Sequence, residues 1–406
     1  MMQQKTMLPQ YMRQFACTGT ACEDTCCRSW AIFIDKSTYK NYQKVSDSTL
    51  KKRLDQNVER VKVNASDQNY AIMKLNDQGA CSFLTEEKMC GIQATLGESY
   101  LSTTCATYPR NINIVDDTIE VSASMSCPES ARLALLNKDP MEFDVIESNN
   151  NYKAISSLVR TTASNTIEAH FWEIRIFVIS LLQNRNYNLT DRMIILGLFC
   201  EKLEESISNE KFELISSLIE EYKVKIANNS FAPLLGQMPQ AHHISMQLLS
   251  RMVELRSGKG QLNARYKALL DEVIQGFGLE KNDSEYILGR YKEGLELIFA
   301  PVLREQEYIL ENYIVNYVFE KLFLFKKGYS AFQQYIQLVS LLSLIKFHII
   351  GRGLEDGEIS PETCVSVIQI LSRSLEHNEG YLKQLIGFVE DLKLNPLALM
   401  VILIKN

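Results

Sequence analysis

Cysteines crowd the first third of this chain. Eight of its ten cysteines precede residue 130, and four of them fall inside the segment CTGTACEDTCC. The eight are Cys17, Cys22, Cys26, Cys27, Cys81, Cys90, Cys105 and Cys127. A reducing cytoplasm keeps cysteine pairs from forming stable disulfides, so clustered thiols in that setting indicate a metal site.

The donor atoms restrict which metal this site takes. The first histidine is His170, so the cysteine-rich third offers thiolates alone. Soft all-sulfur coordination selects Zn²⁺ or an iron–sulfur cluster over magnesium or calcium. A four-cysteine zinc site usually shows two separated pairs, whereas here four thiols are grouped and four come singly. This spacing favours a [4Fe–4S] cluster enclosed by several loops, with zinc as the alternative.

Not every cysteine needs to be a ligand. Adjacent residues such as Cys26 and Cys27 project in different directions in an extended chain, so one can ligate while the other packs beside it. Cys200 and Cys364 lie in helical patterns away from the clustered thiols, and we expect them to be core or surface thiols rather than ligands.

Four blocks in this order resemble the flagellin lysine-N-methylase family. They are FACTGTACEDTCCRSWAIFIDKSTYKNY, CSFLTEEKMCGI, GESYLSTTCATYPR and SMSCPESARLAL. The resemblance extends to ILENYIVNYVFEKLFLF in the second half, so it covers most of the chain. The order of the thiols is also similar to that of the CxxCxxCC-type zinc- or iron-chelating proteins, which agrees with a metal site.

The resemblance implies an enzyme that transfers methyl groups to the ε-amines of lysines on flagellin. It implies S-adenosylmethionine as the donor, a [4Fe–4S] cluster as a required cofactor and flagellin as the partner. The sequence contains neither the glycine-rich strand-to-helix loop of Rossmann methyltransferases nor the C-x3-C-x2-C motif of radical enzymes. It therefore assigns no donor-binding residues.

A lysine substrate must lose a proton before its nitrogen can accept a methyl group. Its amine has a pKa near 10.4, so exposing the lone pair at neutral pH costs roughly 4 to 5 kcal/mol unless the site lowers that pKa. Glu98, Tyr108 and Arg110, close to the cysteine blocks, are the candidate catalytic residues. Tyr108 offers a partner for a proton or hydrogen bond, and Arg110 offers one for the donor carboxylate. Alternatively, this tyrosine and arginine only shape the turn after Cys105.

The elements that would position these residues change along the chain. Trp30–Asp35 is rich in β-formers, and NINIVDDTIEVSASM alternates apolar and polar residues as in a β-hairpin. From about Ile155 onward, apolar residues recur at three- and four-residue spacing, which predicts amphipathic helices packed in an irregular bundle. The polar stretch Glu147–Lys153 is typical of a loop between domains.

We therefore predict an α+β fold with two domains. Residues 1–148 form a small cysteine-rich domain of short strands and loops around a metal centre. Residues 155–406 form a mainly α-helical domain that docks the protein substrate.

Several local features of the helical half are also predictable. Thr190 is expected to cap one helix, and Ser360 followed by Pro361 to begin another. The apolar stretch Tyr335–Ile350 is too short and too polar to span a membrane, so we expect a buried helix.

Single polar residues near these features have plain structural interpretations. We expect Glu23 and Asp24 to cap a helix that begins near Cys26. His377 is expected to be solvated or capping, and His348 to be a core histidine.

The bulk properties exclude some partners and leave one alternative function. A net charge of -6 argues against nucleic acid as a partner. The N-terminal residues lack the apolar core of a secretory signal, so we expect a cytoplasmic protein that does not enter a membrane. The alternative function is a non-catalytic zinc- or iron-binding protein with a structural or interaction role.

Overall fold

The computed structural model describes residues 4–28, 30–149, 152–238, 240–258 and 262–406. The strands in these ranges are β1 Gln4–Pro9, β2 Phe33–Ile34, β3 Val58–Arg60, β4 Ala71–Met73, β5 Arg110–Val115, β6 Thr118–Ala123, β7 Phe143–Ser148 and β8 Ser157–Val159. The α-helices are α1 Lys36–Gln43, α2 Ser48–Asn57, α3 Gly91–Leu96, α4 Thr103–Thr107, α5 Pro128–Leu135, α6 Phe171–Leu182, α7 Leu189–Ser208, α8 Ile215–Ala227, α9 Ala232–Gln237, α10 His242–Ser257, α11 Ala264–Phe277, α12 Ser284–Gly294, α13 Ala300–Glu305, α14 Glu307–Glu320, α15 Ala331–Asp356, α16 Pro361–Leu371, α17 Glu379–Asp391 and α18 Pro396–Lys405. This order confirms an α+β protein with a mainly helical C-terminal part.

A five-stranded sheet in the order β7-β1-β6-β5-β8 connects the first part of the chain to the helices. The predicted hairpin is confirmed, since β5 and β6 pair antiparallel across a turn in which Asp116 has a φ of 53°. The edge strand β8 pairs parallel with β5. The sheet thus takes a strand from beyond the predicted linker Glu147–Lys153, of which residues 150 and 151 lie outside the described ranges.

A smaller sheet, in the order β2-β4-β3, belongs to the segment of residues 17–107, which we call the cysteine module. The predicted Trp30–Asp35 strand is shorter than expected, because Asp35 accepts a hydrogen bond from the Thr38 backbone N–H at 2.9 Å and starts α1. The module has its own small core, in which Ile34 and Phe83 are fully buried.

The helices pack around α15, which confirms the prediction of a buried helix. By length and composition Ala331–Asp356 could cross a membrane, but its most apolar window is entirely buried inside the protein. Gly276 of α11 lies against Gly351 of α15, where an added Cβ would meet the Gly351 carbonyl oxygen at 1.9 Å. Cys200 and Cys364 are both buried in this large core.

Helix starts are partly as predicted. Ser360 caps α16 by accepting a hydrogen bond from the Thr363 N–H, and Pro361 occupies its first turn. The predicted Thr190 cap is wrong, because Asn188 accepts the hydrogen bond from the Asp191 N–H and α7 begins two residues earlier. Asn and Thr are both good caps, so local sequence alone does not separate them.

Candidate metal centre and the adjoining cleft

Four cysteines from separate stretches of the module pack against its small core. They are Cys27, Cys81, Cys90 and Cys105. The backbone brings them together: the Cys81 N–H donates to the Cys27 carbonyl at 2.7 Å, and Cys90 sits in a β-bridge with Leu84. Cys81 is buried and the other three are half-buried.

The pKa values of these thiols indicate that their charges interact. Burial, with smaller contributions from the charges at Cys27, Cys105 and Cys90, raises the pKa of Cys81 to about 12. Burial also raises the pKa of Cys105 to about 11, and charges at Cys27 and Cys90 act in the same direction. Several thiolates in one apolar place are unfavourable without a cation, and a bound metal centre would supply the opposing charge.

Cys26 and Cys27 behave differently although they are adjacent. A hydrogen bond between their side chains raises the pKa of Cys26 and lowers that of Cys27. The positive charge of Arg373 lowers the pKa of Cys27 further. Cys27, unlike Cys26, also packs against the core of the module beside Cys81, Cys90 and Cys105, so it is the member of the pair that lies with the other three thiols.

The remaining cysteines form a looser second group. The charge of Cys17 raises the pKa of Cys22, after the larger effect of burial. Burial likewise raises the pKa of Cys127, and the charge of Cys22 adds to it. Cys127 lies at the N-terminal end of α5, outside the module, and Cys17 is exposed.

Charge interaction between thiols does not by itself define a ligand geometry. Among the described residues, no three His, Cys, Asp or Glu side chains are arranged as ligands of one metal ion. The chemistry of the donor set nevertheless fits an iron–sulfur or zinc centre, since Cys27, Cys81, Cys90 and Cys105 are four sulfur donors within reach of each other's charge.

Helix α16 and the turn after it hold residues 22–28 in place, the segment that we call the cysteine loop. Arg373 donates to the carbonyl oxygens of Asp24, Thr25 and Arg28 at 3.0, 2.8 and 2.6 Å. It also pairs with the Asp24 carboxylate at 3.0 Å, to which Gln369 donates at 2.9 Å. The predicted helix-capping role of Asp24 is thus wrong, because this carboxylate binds the helical part of the protein.

Glu23 is also not a cap. Its carboxylate pairs with Arg132 of α5 at 2.8 Å, and both side chains are partly exposed. Residues 26–28 form a turn and a bridge rather than the start of a helix.

A cleft of rings and hydroxyls adjoins the cysteine loop. The Trp30 ring contacts Tyr108, with centroids 5.0 Å apart, and lies 6.3 Å from the His377 ring. Ser126 Oγ lies 3.1 Å from the Tyr108 hydroxyl and 2.9 Å from His377 Nε2. Trp30 Nε1 donates to the Cys26 carbonyl, so the rings are fastened to the cysteine loop.

As predicted, His377 is exposed and lies at the C-cap of the helical turn after α16, but the sequence did not predict its contact with Ser126. Burial of its imidazole, together with the charges of Lys321 and Arg373, lowers the pKa of His377 to about 4. The charge of Glu376 acts in the opposite direction. The sequence around His377 carries no signal for this position, because its partner Ser126 lies 251 residues away.

A buried ionic cluster stands behind His377. Tyr313 donates its hydroxyl hydrogen to Glu376 at 3.0 Å, and Lys321 lies 2.6 Å from Glu320 and 3.8 Å from Glu376. Both carboxylates are almost fully buried. These charges fix α14 against the turn that carries His377.

The three candidate catalytic residues separate into two places. Glu98 and Arg110 line one cavity of about 300 Å³, together with Lys153. Tyr108 instead belongs to the cleft, and burial raises its pKa, so it keeps its proton and acts through hydrogen bonds. The pocket and the cleft thus lie on either side of the short segment Tyr108–Arg110.

Fold and site together define an α+β protein in which a thiol-rich module is fastened to a helical body beside an aromatic cleft. The family model described as the FliB lysine N-methylase C-terminal domain matches residues 175–403. This chain therefore belongs to the flagellin lysine-N-methylase family, as the cysteine blocks indicated. Lysine methylation is the activity for which the family is named.

Curated relatives agree over almost the full length. A lysine-N-methylase of Salmonella typhimurium is 23% identical over 398 residues, which is 95% of each chain. A lysine-N-methylase of Salmonella choleraesuis is 22% identical over the same share. The flagellar biosynthetic protein FliU of Salmonella muenchen is 35% identical over 134 residues, or 33% of this chain and 78% of that protein. No solved structure matches the chain.

Proposed function

We propose that this chain is a methyltransferase that modifies the ε-amines of lysine side chains on flagellin. S-adenosylmethionine is the proposed donor, and the cysteine module is proposed to hold a [4Fe–4S] cluster. The observation that carries the proposal is the packing of four charge-coupled thiols beside an aromatic cleft, in a chain whose relatives are named for lysine methylation.

Cys27, Cys81, Cys90 and Cys105 are the proposed cluster ligands. They come from different stretches of the module, their thiols interact, and all four pack against the same small core. An iron–sulfur cluster supplies one-electron chemistry at a potential set by its surroundings. Around it, Arg373 and Gln369 hold the first ligand loop, so this end of α16 determines where Cys27 lies.

Methylation requires the acceptor lysine to lose a proton, and the surroundings of the cleft favour that loss. Whichever route breaks the donor S–CH3 bond, the lysine nitrogen gains the methyl group and releases one proton. The charges of Lys321 and Arg373, which lower the pKa of His377, oppose any further cation there. A lysine held in this cleft would lose its proton more readily than in water.

The pocket beside the cleft is the proposed place for the donor's amino-acid end. Arg110 and Lys153 suit a carboxylate, and Glu98 suits an ammonium group. We also propose a cytoplasmic location, where the thiols stay reduced.

The test combines metal analysis with a methylation assay. Anaerobically purified protein should be brown, contain several irons and sulfides per chain, and methylate co-expressed flagellin, as measured by mass spectrometry. Cys105→Ser should abolish methylation and lower the iron content, whereas Cys200→Ser, in the helical core, should change neither. A colourless zinc protein without activity would instead support the non-catalytic alternative.

A further inference from the structure

Three rings from three parts of the chain lie next to one another beside the cysteine loop. Trp30 belongs to the cysteine module, Tyr108 precedes β5, and His377 follows the turn after α16. Trp30 and Tyr108 are half-buried residues and His377 is an exposed one, so the group keeps an accessible surface, which we call its open face. Aromatic faces exposed together in this way suit alkyl-ammonium or alkyl-amine groups.

The polar contacts around this face leave one ring nitrogen of His377 available to a ligand. His377 Nε2 is held by Ser126 at 2.9 Å, and Ser124 lies 3.4 Å from the same nitrogen. His377 Nδ1 has no hydrogen-bond partner among the residues described by the structure. The ring is thus fixed through one nitrogen while the other stays available.

Charged groups around this face set the form of the ligand. Lys321 and Arg373 are the neighbouring cations and Glu376 is the neighbouring acid. The carboxylate of Glu376 already interacts with Lys321 and with the Tyr313 hydroxyl. The cations are engaged as well, Lys321 with Glu320 at 2.6 Å and Arg373 with Asp24 at 3.0 Å. No neighbouring carboxylate is therefore free to pair with an ammonium ion, and an uncharged amine suits this face better.

We propose that the open face of Trp30, Tyr108 and His377 receives the acceptor lysine of the protein substrate. The alkyl chain of that lysine lies along the indole and phenol rings, and its nitrogen donates a hydrogen bond to His377 Nδ1. Trp30 and His377 thereby contact the substrate, whereas Ser126 positions the imidazole. This assignment rests on the proposed function, because it names where that reaction holds its acceptor.

The test measures steady-state methylation of flagellin and its equilibrium binding, using full-length, metal-loaded protein. Trp30→Ala and His377→Ala should each raise KM for flagellin and weaken its binding about tenfold or more, as expected for loss of a ring contact or a hydrogen bond at a desolvated site. Trp30→Phe keeps a ring and should stay within about threefold of the natural protein.

Matched controls separate a local effect from misfolding. Trp172→Phe and His243→Ala change the same residue types away from the cleft and should leave KM unchanged. Every variant must keep its iron content and far-ultraviolet circular dichroism. If Trp30→Ala fails this check, the test uses Trp30→Phe and His377→Gln instead. The KM of the His377→Gln variant should lie between that of His377→Ala and that of the natural protein.

The outcomes distinguish the site from the function. If the folded Trp30 and His377 variants show unchanged KM and binding, the proposed acceptor site is wrong. If the natural protein nevertheless methylates flagellin, the proposed function stands. Binding that depends on both rings, without methylation by the natural protein, would support the site and reject the proposed reaction. A natural protein that neither binds nor methylates flagellin would count against both.

Discussion

Asp35 joins the start of α1 to α4, the helix that carries the proposed ligand Cys105. Its carboxylate accepts hydrogen bonds from the Thr38 backbone at 2.9 Å and from the Thr103 backbone N–H and hydroxyl at 2.9 and 3.0 Å. Burial alone would raise its pKa, but these bonds and one from Ser37 leave the pKa well below the ordinary value. Thr103 opens α4, the helix that carries Cys105, so one carboxylate fixes two elements.

Asp35→Asn should therefore destabilise the protein in a pH-dependent way. A carboxyl whose pKa is depressed by folding contributes stability above its unfolded value near 3.9, and that contribution is lost as the pH falls further. We expect the variant to lose about 2 kcal/mol at pH 7, because charge-assisted hydrogen bonds are replaced by weaker ones. Urea unfolding at pH 7 and at pH 3 measures this difference.

The difference between the two proteins should shrink at pH 3. An equal loss at both pH values would show that the carboxylate charge contributes nothing. Asp55→Asn, on the exposed face of α2, is the control and should have little effect at either pH.

At the scale of elements, the crossing of α11 and α15 depends on two glycines. Gly276 and Gly351 let the two backbones approach until the space for a side chain is gone. The pattern of apolar residues predicted both helices but not this contact, because a helical glycine carries no periodic signal. The glycines therefore set the distance between the two helices.

Gly276→Ala should destabilise the helical part by about 3 kcal/mol, because the added methyl group meets a backbone carbonyl that has no rotamer to change. Gly387→Ala in α17 is the matched control, since no atom lies within 4 Å of its added Cβ. By helix propensity alone the control should be neutral or stabilising by up to about 1 kcal/mol. Thermal unfolding of both variants measures the contrast, and equal effects would contradict the role of the close approach.

At the scale of the whole molecule, Arg373 joins the helical part to the cysteine loop. It contacts three carbonyls and one carboxylate of the loop, and its side chain is only 10% exposed. Because this contact supports the Cys27 backbone, the helical part contributes to the stability of the proposed metal site.

Arg373→Ala should loosen the loop without unfolding the helices. We expect amide hydrogen exchange in residues 22–28 to accelerate at least about tenfold, since several charge-assisted hydrogen bonds are lost. Iron release to a chelator should accelerate as well. Arg352→Ala removes an arginine whose ion pairs are partly exposed and should leave both rates unchanged. Unchanged exchange in the Arg373 variant would show that the loop is held by other contacts.

Sequence patterns predicted the features that nearby residues decide. The β5–β6 hairpin, the Ser360 cap and the burial of α15 follow from turn chemistry, capping and apolar composition. The patterns missed contacts between distant positions, such as Arg373 with Asp24 and His377 with Ser126. The periodicity of a single sequence contains no information on such pairs, so Asp24 was predicted to cap a helix and no contact was predicted for Arg373 or His377.

The separation of Arg373 from the cysteine loop has a consequence for biosynthesis. Arg373 follows Asp24 by 349 positions, and a ribosome adds roughly 5 to 20 residues per second. The nascent loop therefore waits on the order of 20 to 70 seconds for the arginine that anchors it. During that interval the first thiols lack this contact, so a metal delivered during synthesis would reach a loop that α16 has not yet fastened.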